Sequence, residues 1–523
     1  MERMSTQIDI EYTKVLEENG VKLRVSQDHN IPEKSDVFFN PKIKINRELV
    51  LCGLSVFLDQ HKEYAKHPAQ CLDAFASSGA LGIQWQKHLK HQKRIILNDI
   101  KPTAVQNIYF NCQQNQIKYS TADQMMECRT LGSLIEGNRK SKESCDTRSD
   151  GEMEESHLID DGGKPDMEDN SVEVICQDAG ILLLQRAFDF IHLDPFGTSV
   201  HYLESAFRNT PNKGIVSITS TDLASVYGRC PKMTMRHYSA NVIRNEYYRE
   251  LAARLILGAV ARAAARCNKG IEVLVSVAYE HFILVMVRVV RGPRHADSSI
   301  EKVQKVIHCL LCGERCFVPG TRCVERDYYT LLKCKCKQNS PGKTAVFLGP
   351  VWSHSIFKAE FVHAMLQSSI HLKLSSTVIE LLKTLQSEAV CSRTVNTMIQ
   401  QPHKIEKTTY TKMDDAILSS TIGDEKESTK CVKRPSDEAT SMAKRICKDQ
   451  ETVISAPCFY YNIHLHTAKG KDALKMKKVI ELLKQNGYRA SRTHFDPVAV
   501  RTNADMHSFL EILTSNSQPT SRP

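Results

Sequence analysis

The sequence predicts an α/β fold in which parallel strands bring polar residues to one edge of a sheet. Several short apolar stretches end in an acid, and the clearest runs from Phe188 to Leu193 before residues 194–197, Asp-Pro-Phe-Gly. Strands that are buried on both faces are apolar throughout, and ligands of such folds bind beyond their carboxyl ends. The pattern therefore indicates a Rossmann-like sheet with a ligand site at that edge.

A turn of small residues follows the first predicted strand. Residues 71–82 read Cys-Leu-Asp-Ala-Phe-Ala-Ser-Ser-Gly-Ala-Leu-Gly, and a helix is predicted to continue through Trp85. Small residues let the backbone approach a ligand closely, and a helix N-terminus adds a favourable dipole. The spacing G-x-G-x-x-G is absent, which disfavours a dinucleotide-dependent dehydrogenase. We therefore take Asp73 and Gly79 as candidate cofactor-binding residues.

Two further predicted strands also end in acids. Residues 94–99 end in Asp99, about twenty residues past the loop, where an acid can hold both ribose hydroxyls of a nucleoside cofactor. Residues 172–176 lead into Asp178 and Ala179, which are placed to reach an adenine edge. Any one such acid is more often a solvated strand-end residue. The four acids in order, Asp73, Asp99, Asp178 and Asp194, favour an S-adenosylmethionine-dependent methyltransferase.

The residues around Asp194 suit methylation of an exocyclic amine on a base. Such an amine is a poor nucleophile because its lone pair is delocalised into the ring. The Asp194 carboxylate and the Pro195 carbonyl can each accept a hydrogen bond from one of its two N–H groups, and Phe196 can stack on the ring. The alternative is a strand-end turn in which Asp194 caps a helix and Pro195 ends the strand.

Several motifs together resemble one known family. They are residues 39–41 with 46–48, 194–197, 219–224, 236–240, the predicted helix 250–266, 285–289 and 487–497. The chain resembles the tRNA (guanine-N2)-dimethyltransferase family of the guanosine-26 type over most of residues 35–515. It is most similar to the animal tRNA methyltransferase 1-like branch of that family.

The resemblance implies roles for individual residues. Arg47 would help hold the methionine end of S-adenosylmethionine, Asp99 the ribose and Asp178 the adenine, while Asp194 would accept the guanine amino group. Two positions depart from the family pattern. Leu81 stands where the family has an arginine, and Ser239 stands where it has a glycine. The first change removes a charged contact to the cofactor, and the second predicts a different substrate pocket.

The predicted reaction is transfer of one or two methyl groups from S-adenosyl-L-methionine to the exocyclic amine of a guanosine in tRNA. Three alternatives remain at this stage. The first is a catalytically weak or inactive paralogue that binds tRNA as a folding or scaffold protein. The second is an amine methyltransferase acting on protein or DNA, and the third is a zinc-stabilised nuclear adaptor.

Composition agrees with this class of protein. The 523 residues exceed a single core, so two or three domains are expected. A net charge of +10 suits a polyanionic partner such as tRNA without proving one. We expect no membrane partner, because no apolar run reaches the roughly twenty residues that a span requires. The 18 cysteines are scattered and are interpreted as reduced thiols outside one cluster.

That cluster has the spacing of a zinc ribbon. Cys309 and Cys312 form a C-x2-C pair, and Cys334 and Cys336 form a C-x-C pair about twenty residues later. Four thiolates would make a closed structural Zn2+ site. Cys316 and Cys323 are the substitute ligands, and the alternative is a set of small apolar residues in a β-rich subdomain. Residues 349–352 then resemble the G-P-x-W turn of the family.

The last part of the chain is predicted to bind tRNA. A helix is expected over 471–486 with Gly487 as its C′ residue. Arg489, Arg492 and Arg501 then cluster in a short segment where they can contact RNA phosphates. The alternative is a solvated face. His494 is expected to be structural, and residues 459–461 are expected to be core.

These features divide the chain as follows: an N-terminal segment, 1–34; the Rossmann-like class I methyltransferase domain, 35–300, with a disordered acidic insertion, 119–171; the zinc-ribbon-containing part of a smaller α+β C-terminal domain, 301–397; a disordered linker, 398–455; the remaining tRNA-binding part of that domain, 456–515; and a tail, 516–523. Within the linker, Lys433-Arg434 and Lys444-Arg445 have a bipartite nuclear-import spacing. We therefore expect the protein in the nucleus or nucleolus, with a cytoplasmic fraction.

Overall fold

The computed structural model describes residues 13–26, 38–64, 67–121, 171–318, 328–392 and 459–519. The linker with its Lys-Arg pairs, Cys323 and most of the acidic insertion lie outside these residues. All described residues belong to one compact unit. Within them, no helix combines the length and the apolar character that crossing a membrane would need.

The described strands form four sheets. In chain order they are β1 (Thr13–Glu18), β2 (Val21–Ser26), β3 (Ala69–Asp73), β4 (Lys93–Asp99), β5 (Lys118–Thr121), β6 (Ser171–Cys176), β7 (Phe190–Leu193), β8 (Ile215–Ser220), β9 (Lys269–Tyr279), β10 (Phe282–Arg291), β11 (Val303–Cys309), β12 (Arg315–Phe317), β13 (Ala345–Trp352), β14 (Tyr460–Asn462), β15 (Ala490–Arg492) and β16 (Ala499–Thr502).

The described α-helices connect and cover these sheets. They are α1 (Lys44–Tyr64), α2 (Ala80–His88), α3 (Pro102–Gln114), α4 (Ala179–Gln185), α5 (Leu203–Asn209), α6 (Leu223–Val226), α7 (Pro231–Tyr238), α8 (Tyr248–Arg266), α9 (Pro293–Glu301), α10 (Cys336–Asn339), α11 (Ala359–His371), α12 (Ser376–Cys391), α13 (Ile463–His466), α14 (Met476–Gln485) and α15 (Met506–Asn516). Short 3-10 helices span Pro41–Ile43, Val200–Tyr202 and Tyr328–Leu331.

The main sheet has the strand order β5-β6-β4-β3-β7-β8-β10-β9. The first six strands in that order are parallel, and β10 pairs antiparallel with both β8 and β9. From the central β3 the chain moves outward to β4 and then returns to β7 on the other side. Such a reversal opens a crevice at the carboxyl ends of the strands, which is where α/β sheets bind ligands. The predicted Rossmann-like sheet is thus observed.

The central strands form because their residues are apolar on both faces. Four consecutive residues of β7, from Phe190 to Leu193, are all buried, and so are Ile95, Ile96 and Leu97 in β4. Helices on both sides of a parallel sheet require such continuous apolar runs. His192 interrupts the run, but its Nδ1 lies 3.1 Å from the Ser217 hydroxyl on β8. Burial lowers the pKa of His192 to about 3, so the imidazole is neutral inside the sheet.

Two predicted segments differ in the structure. Residues 119–121, the first of the predicted insertion, belong to the edge strand β5, which pairs with β6. The hairpin of β1 and β2 belongs to the predicted N-terminal segment, yet Val21, Leu23 and Val25 lie in the same apolar core as the main sheet. The hairpin is polar in sequence because alternate residues of β2 are buried, so that only one face meets the core. Strand β5 is polar because it lies at the sheet edge and has no fully buried residue.

Sheets β12-β11-β13 and β14-β16-β15 form the remainder of the unit. The predicted G-P-x-W turn is not a turn, because residues 349–352 complete β13. Val351 and Trp352 pair with β11, whereas Gly349 lies at an irregularity in that pairing and bridges Asn241. The predicted helix over 471–486 starts later, at Met476, since the Asp472 amide donates to the Gln518 carbonyl instead of joining the helix. Gly487 follows that helix with φ +81°, the left-handed conformation expected at C′.

Candidate active site

The loop after β3 is held in one conformation by backbone contacts. The Ala76 amide donates to the Asn98 carbonyl at 2.8 Å, and the Gly79 amide donates to the Ala76 carbonyl at 2.7 Å. Gly79 has φ +76° and immediately precedes α2, so the turn needs a residue without a side chain. The amino end of α2 therefore faces the crevice behind a loop of small residues, as the sequence predicts.

Asp99 is bound to this loop. Its carboxylate accepts hydrogen bonds from the Ser77 and Lys101 amides, each at 2.9 Å. Burial raises the pKa of Asp99, and the two amides only partly offset that rise. The contact with Ser77 places the carboxylate beside the loop, which is the position expected for an acid that holds a ribose.

Asp178 caps a helix, a structural role that its sequence context did not predict. Its Oδ1 accepts a hydrogen bond from the Ile181 amide at 3.1 Å, so it is the N-cap of α4. Ala179 is the first residue of that helix and is buried. No described helix begins directly after Asp194, so the helix-capping role considered for Asp194 is not observed.

The segment 194–197 lies at the end of β7 and is held by the segment after β8. The Gly197 amide donates to the Thr221 hydroxyl at 3.0 Å, and its carbonyl accepts from the Thr221 amide at 3.0 Å. Pro195 is buried, whereas Phe196 is 63% exposed. The two family-like motifs at 194–197 and 219–224 are therefore neighbours in space.

Asp194 and Asp73 lie at the ends of the adjacent strands β7 and β3. Among the described residues, no donor contacts the carboxylate of Asp194, although the residue as a whole is partly exposed. Burial raises the pKa of Asp194 to about 6, against the opposing charge of Arg47. Burial and then the negative charge of Asp194 raise the pKa of Asp73 to about 8. The site thus combines one carboxyl that keeps a proton at neutral pH with one that is mostly ionised.

Arg47 is positioned by a residue that the sequence analysis missed. Its Nε and Nη2 contact the two carboxylate oxygens of Glu18 at 2.6 and 2.5 Å, and both side chains are buried. Gln84 on α2 donates to the same carboxylate at 2.9 Å. Burial alone would raise the pKa of Glu18, but Arg47 and Gln84 hold it below its ordinary value. The hairpin therefore fixes the direction of Arg47 beside the loop.

Two aromatic side chains stand at the mouth of the crevice. The Phe38 and Phe196 rings meet edge to face with centroids 4.8 Å apart. The Phe38 carbonyl accepts from the Ser77 hydroxyl at 2.7 Å, which joins the aromatic pair to the loop. Phe38 precedes the family-like motif at 39–41 by one residue, and this adjacency was the only sequence signal that pointed to it.

Leu81, at the position of the family's arginine, is buried in α2. It adds no charge to the crevice. Ser239 ends α7 in a left-handed conformation with φ +51°. Its neighbour Tyr238 is buried, and the Tyr238 hydroxyl lies 3.0 Å from the Thr198 hydroxyl. The Ser239 departure therefore lies one residue from a contact to the segment that follows Gly197.

The structure brings the four predicted zinc-ligand cysteines together. The sulfur atoms of these residues all lie within 4.8 Å of one another: Cys309, Cys312, Cys334 and Cys336. The turn that holds the first pair is closed by a hydrogen bond from the Gly313 amide to the Cys309 carbonyl at 3.0 Å. Cys316, a substitute in the sequence analysis, donates to the Leu331 carbonyl instead. The cluster has the donor type and number of a structural zinc site.

The three predicted RNA contacts differ in accessibility. Arg492 is exposed and Arg489 is half-buried. The prediction for Arg501 is wrong, because this side chain has no exposed surface. Its Nη2 contacts Glu250 at 2.6 Å and its Nε contacts Glu388 at 2.8 Å. A phosphate cannot reach a guanidinium that is enclosed by two carboxylates.

The structural expectations for His494 and for residues 459–461 are confirmed. The His494 Nδ1 lies 2.6 Å from Glu388, and its Nε2 accepts from the Ala278 amide at 3.3 Å. Because an amide can only donate, His494 carries its proton on Nδ1. Phe459 and Tyr460 are fully buried and Tyr461 is nearly so.

Comparison with known proteins identifies the family and supports the fold. A family model described as N2,N2-dimethylguanosine tRNA methyltransferase matches residues 16–137, 158–421 and 413–514. A solved structure of Trm1 from Pyrococcus horikoshii in complex with S-adenosyl-L-methionine superposes with a TM-score of 0.62 at 22% identity, covering 95% of this chain and 99% of that one. This likeness supports the fold.

Curated relatives extend over nearly the whole chain. The tRNA (guanine(27)-N(2))-dimethyltransferase of Macaca fascicularis is 42% identical over 97% of this chain and 68% of its own length. The human protein of that name is 41% identical over 97% of this chain and 64% of its own length. A tRNA (guanine(26)-N(2))-dimethyltransferase of Pyrococcus abyssi is 26% identical over 92% and 93%. This chain thus spans about two thirds of the mammalian relatives, and it belongs to the N2,N2-dimethylguanosine tRNA methyltransferase family.

Proposed function

We propose that this protein transfers methyl groups from S-adenosyl-L-methionine to the exocyclic amine of a guanosine in tRNA. The observation that carries the proposal is the position of Asp194. Asp194 directly follows β7, beside β3, and its carboxylate lacks a hydrogen-bond donor among the described residues. It lies next to a buried proline and an exposed aromatic ring. The family membership of the chain points to the same reaction.

The residues at the neighbouring strand ends fit the cofactor. S-adenosyl-L-methionine supplies the methyl group on its sulfonium. The loop 74–79 and the amino end of α2 would accommodate its methionine end, together with Arg47. Asp99 would accept hydrogen bonds from the ribose, and Asp178 and Ala179 would border the adenine.

The chain's residues would activate the amine chiefly by orientation. A guanosine leaves its stack to enter the crevice, as base-modifying enzymes require. The Asp194 carboxylate and the Pro195 carbonyl each accept a hydrogen bond from one of the two N–H groups of the amine. This arrangement directs the nitrogen lone pair toward the methyl group. Phe196 packs on the ring, and Phe38 holds Phe196 edge to face. Asp194 then takes the released proton, directly or through water.

The names of the relatives favour one nucleotide of the tRNA as the substrate. The mammalian proteins at 42% and 41% identity are named for guanosine 27, whereas the archaeal protein at 26% identity is named for guanosine 26. We therefore favour guanosine 27. The Ser239 departure, next to Tyr238, is where this chain differs from the family motif close to the predicted base pocket.

We also propose that Cys309, Cys312, Cys334 and Cys336 bind a structural Zn2+. The sulfur atoms are close enough for one ion to draw them into tetrahedral coordination. Lys333, the neighbour of Cys334, contacts Asp505 in the last part of the chain at 2.9 Å. Removal of zinc with a chelator should therefore lower the thermal stability of the full chain. A Cys334→Ser variant should bind one zinc fewer than the wild type.

For tRNA contact we propose Arg492, Arg489 and the exposed lysines of α14, Lys477, Lys478 and Lys484. These side chains would bind phosphates without reading sequence. Arg492→Ala should weaken tRNA binding and reduce the slope of log affinity against log salt by roughly 1. Nuclear import through the Lys-Arg pairs stays a prediction.

The experiment that tests the function is methyl transfer by the purified full chain. Three tRNA transcripts are compared: one with both guanosines, one with adenosine at position 26 and one with adenosine at position 27. Nucleosides are then analysed by mass spectrometry. We expect N2-methylated guanosine unless position 27 is changed, and a loss of at least about 100-fold in the rate for Asp194→Ala. Asp297→Ala, at an exposed acid on α9, is the matched control.

Two outcomes would count against this proposal. Full activity of Asp194→Ala would remove Asp194 from the mechanism. Tight tRNA binding without any methylation would favour the inactive tRNA-binding paralogue. Methylation lost only when position 26 is changed would retain the enzyme and correct the position.

A further inference from the structure

We propose that His61, His67 and Asp189 form a second metal site, one that binds Zn2+ at the edge of the main sheet opposite to the candidate active site. His61 lies in the last turn of α1, His67 precedes β3, and Asp189 precedes β7. One ligand atom from each of the three residues lies within 4.8 Å of the other two. The three side chains thus converge from separate elements at the amino ends of the two central strands.

Each of these side chains contacts a backbone group, as the side chains of metal ligands commonly do. The His61 Nε2 lies 3.2 Å from the His67 carbonyl oxygen, and the His67 Nδ1 lies 3.1 Å from the Pro68 carbonyl oxygen. Asp189 Oδ2 accepts from the Gln70 amide at 2.9 Å. A metal-binding histidine usually donates one ring N–H to a carbonyl, which fixes its tautomer. Each residue thus brings at least one polar atom within reach of the other two.

The chemistry of the three ligands selects the metal. Two imidazoles and one carboxylate are typical ligands of Zn2+, with water in the remaining position. His61 and Asp189 are nearly buried, whereas His67 is exposed. The ion would therefore enter from solvent on the side of His67. It would bind to His61 and Asp189, which the fold already holds in place. This site is separate from the four cysteines and does not depend on the proposed methyl transfer.

The expected consequence is structural. An ion at this position would tie the end of α1 to the start of β3 and β7, the strands that carry Asp73 and Asp194 at their other ends. Binding to the folded chain alone stabilises it by mass action. Zinc should thus raise the midpoint of thermal unfolding through this site as well as through the cysteines.

The test is zinc stoichiometry of the full chain prepared without a polyhistidine tag. After dialysis against Zn2+ and removal of loosely bound ion, zinc per chain is measured by elemental mass spectrometry. We expect His67→Ala and Asp189→Asn each to bind one zinc fewer than the wild type. Both should also lose part of the zinc-dependent rise in the unfolding midpoint. His464→Ala, at an exposed histidine on α13, is the matched control and should keep the wild-type stoichiometry.

Equal zinc content in the wild type, His67→Ala and Asp189→Asn would overturn the proposal. A second measurement on the wild-type chain covers the case in which a variant fails to fold. Zn2+ should protect His67 from acylation by diethyl pyrocarbonate, as mapped by peptide mass spectrometry, and should leave His464 reactive. Equal modification of His67 with and without Zn2+ would also overturn the site. A loss confined to cysteine variants would assign all bound zinc to the four cysteines.

Discussion

Glu18 and Arg47 form a buried, forked ion pair, with the Arg47 Nε 2.6 Å from Glu18 Oε1 and the Nη2 2.5 Å from Oε2. Glu18 ends the first strand of an N-terminal hairpin, while Arg47 lies in the first turn of α1. The guanidinium also donates to the Asn40 carbonyl at 3.2 Å and lies over the Phe39 ring. The hairpin is therefore part of the candidate active site.

Substitution of Glu18 should affect both stability and cofactor affinity. Glu18→Gln removes the counter-charge of a buried guanidinium, and breaking such a pair typically costs about 3–5 kcal/mol. We expect a lower denaturation midpoint and weaker binding of S-adenosyl-L-methionine, measured by urea unfolding and calorimetric titration. Glu17→Gln, at the exposed neighbour, should change neither quantity. Unchanged cofactor affinity in a folded Glu18→Gln protein would separate the ion pair from the site.

The pH dependence of methyl transfer should report the ionisation of Asp194. Burial raises its pKa to about 6, and only the ionised form can accept both an N–H bond and the released proton. The rate at saturating cofactor and tRNA should therefore fall as the pH drops through about 6 and level off above it. Arg47 opposes that rise in pKa, so Arg47→Gln should move the acid limb to higher pH. A limb that stays in place in Arg47→Gln would assign it to another group.

The sequence contained enough information for the strand-end acids but not for their partners. Apolar runs that end in Asp73, Asp99 or Asp194 are local patterns, and the order of parallel strands brings them to one edge. The contact between Glu18 and Arg47 joins a hairpin to a helix 29 residues away, and no local pattern indicates that pairing. Glu18 therefore looked like an ordinary charge in a polar N-terminal segment.

Arg501 was predicted to be exposed but is buried, and the reason is again a contact between residues that are distant in sequence. Arg489, Arg492 and Arg501 are close in sequence, and charged residues are usually exposed, so the three suggested one basic surface. The partners that bury Arg501 are Glu250 and Glu388, and Glu250 is 251 residues away along the chain. Burial of a charge depends on such distant partners, which a single sequence does not reveal.

Arg501 substitution should therefore act on folding. Arg501→Met would leave Glu250 and Glu388 buried beside each other without their shared cation, with an expected loss of about 3–5 kcal/mol in the free energy of unfolding. Arg492→Ala, at the exposed neighbour, should leave the unfolding midpoint unchanged and weaken tRNA binding. Chemical denaturation and a tRNA binding assay on the same two variants would show this crossed pattern. Normal stability of Arg501→Met would contradict the buried network.

Ser239 provides a prediction about the departure from the family motif. It ends α7 with φ +51°, a left-handed conformation that costs a non-glycine residue roughly 1 kcal/mol. Ser239→Gly should therefore raise the free energy of unfolding by about 0.5–1 kcal/mol, whereas Ser239→Ala should leave it nearly unchanged because alanine bears the same strain. Greater freedom next to Tyr238 would also loosen its contact with Thr198, beyond Gly197. If that contact shapes the base pocket, Ser239→Gly should gain stability and at the same time change the ratio of methylation at guanosines 26 and 27. Nucleoside mass spectrometry on the two adenosine-substituted transcripts measures that ratio, and a stabilised variant with the wild-type ratio would confine Ser239 to a structural role.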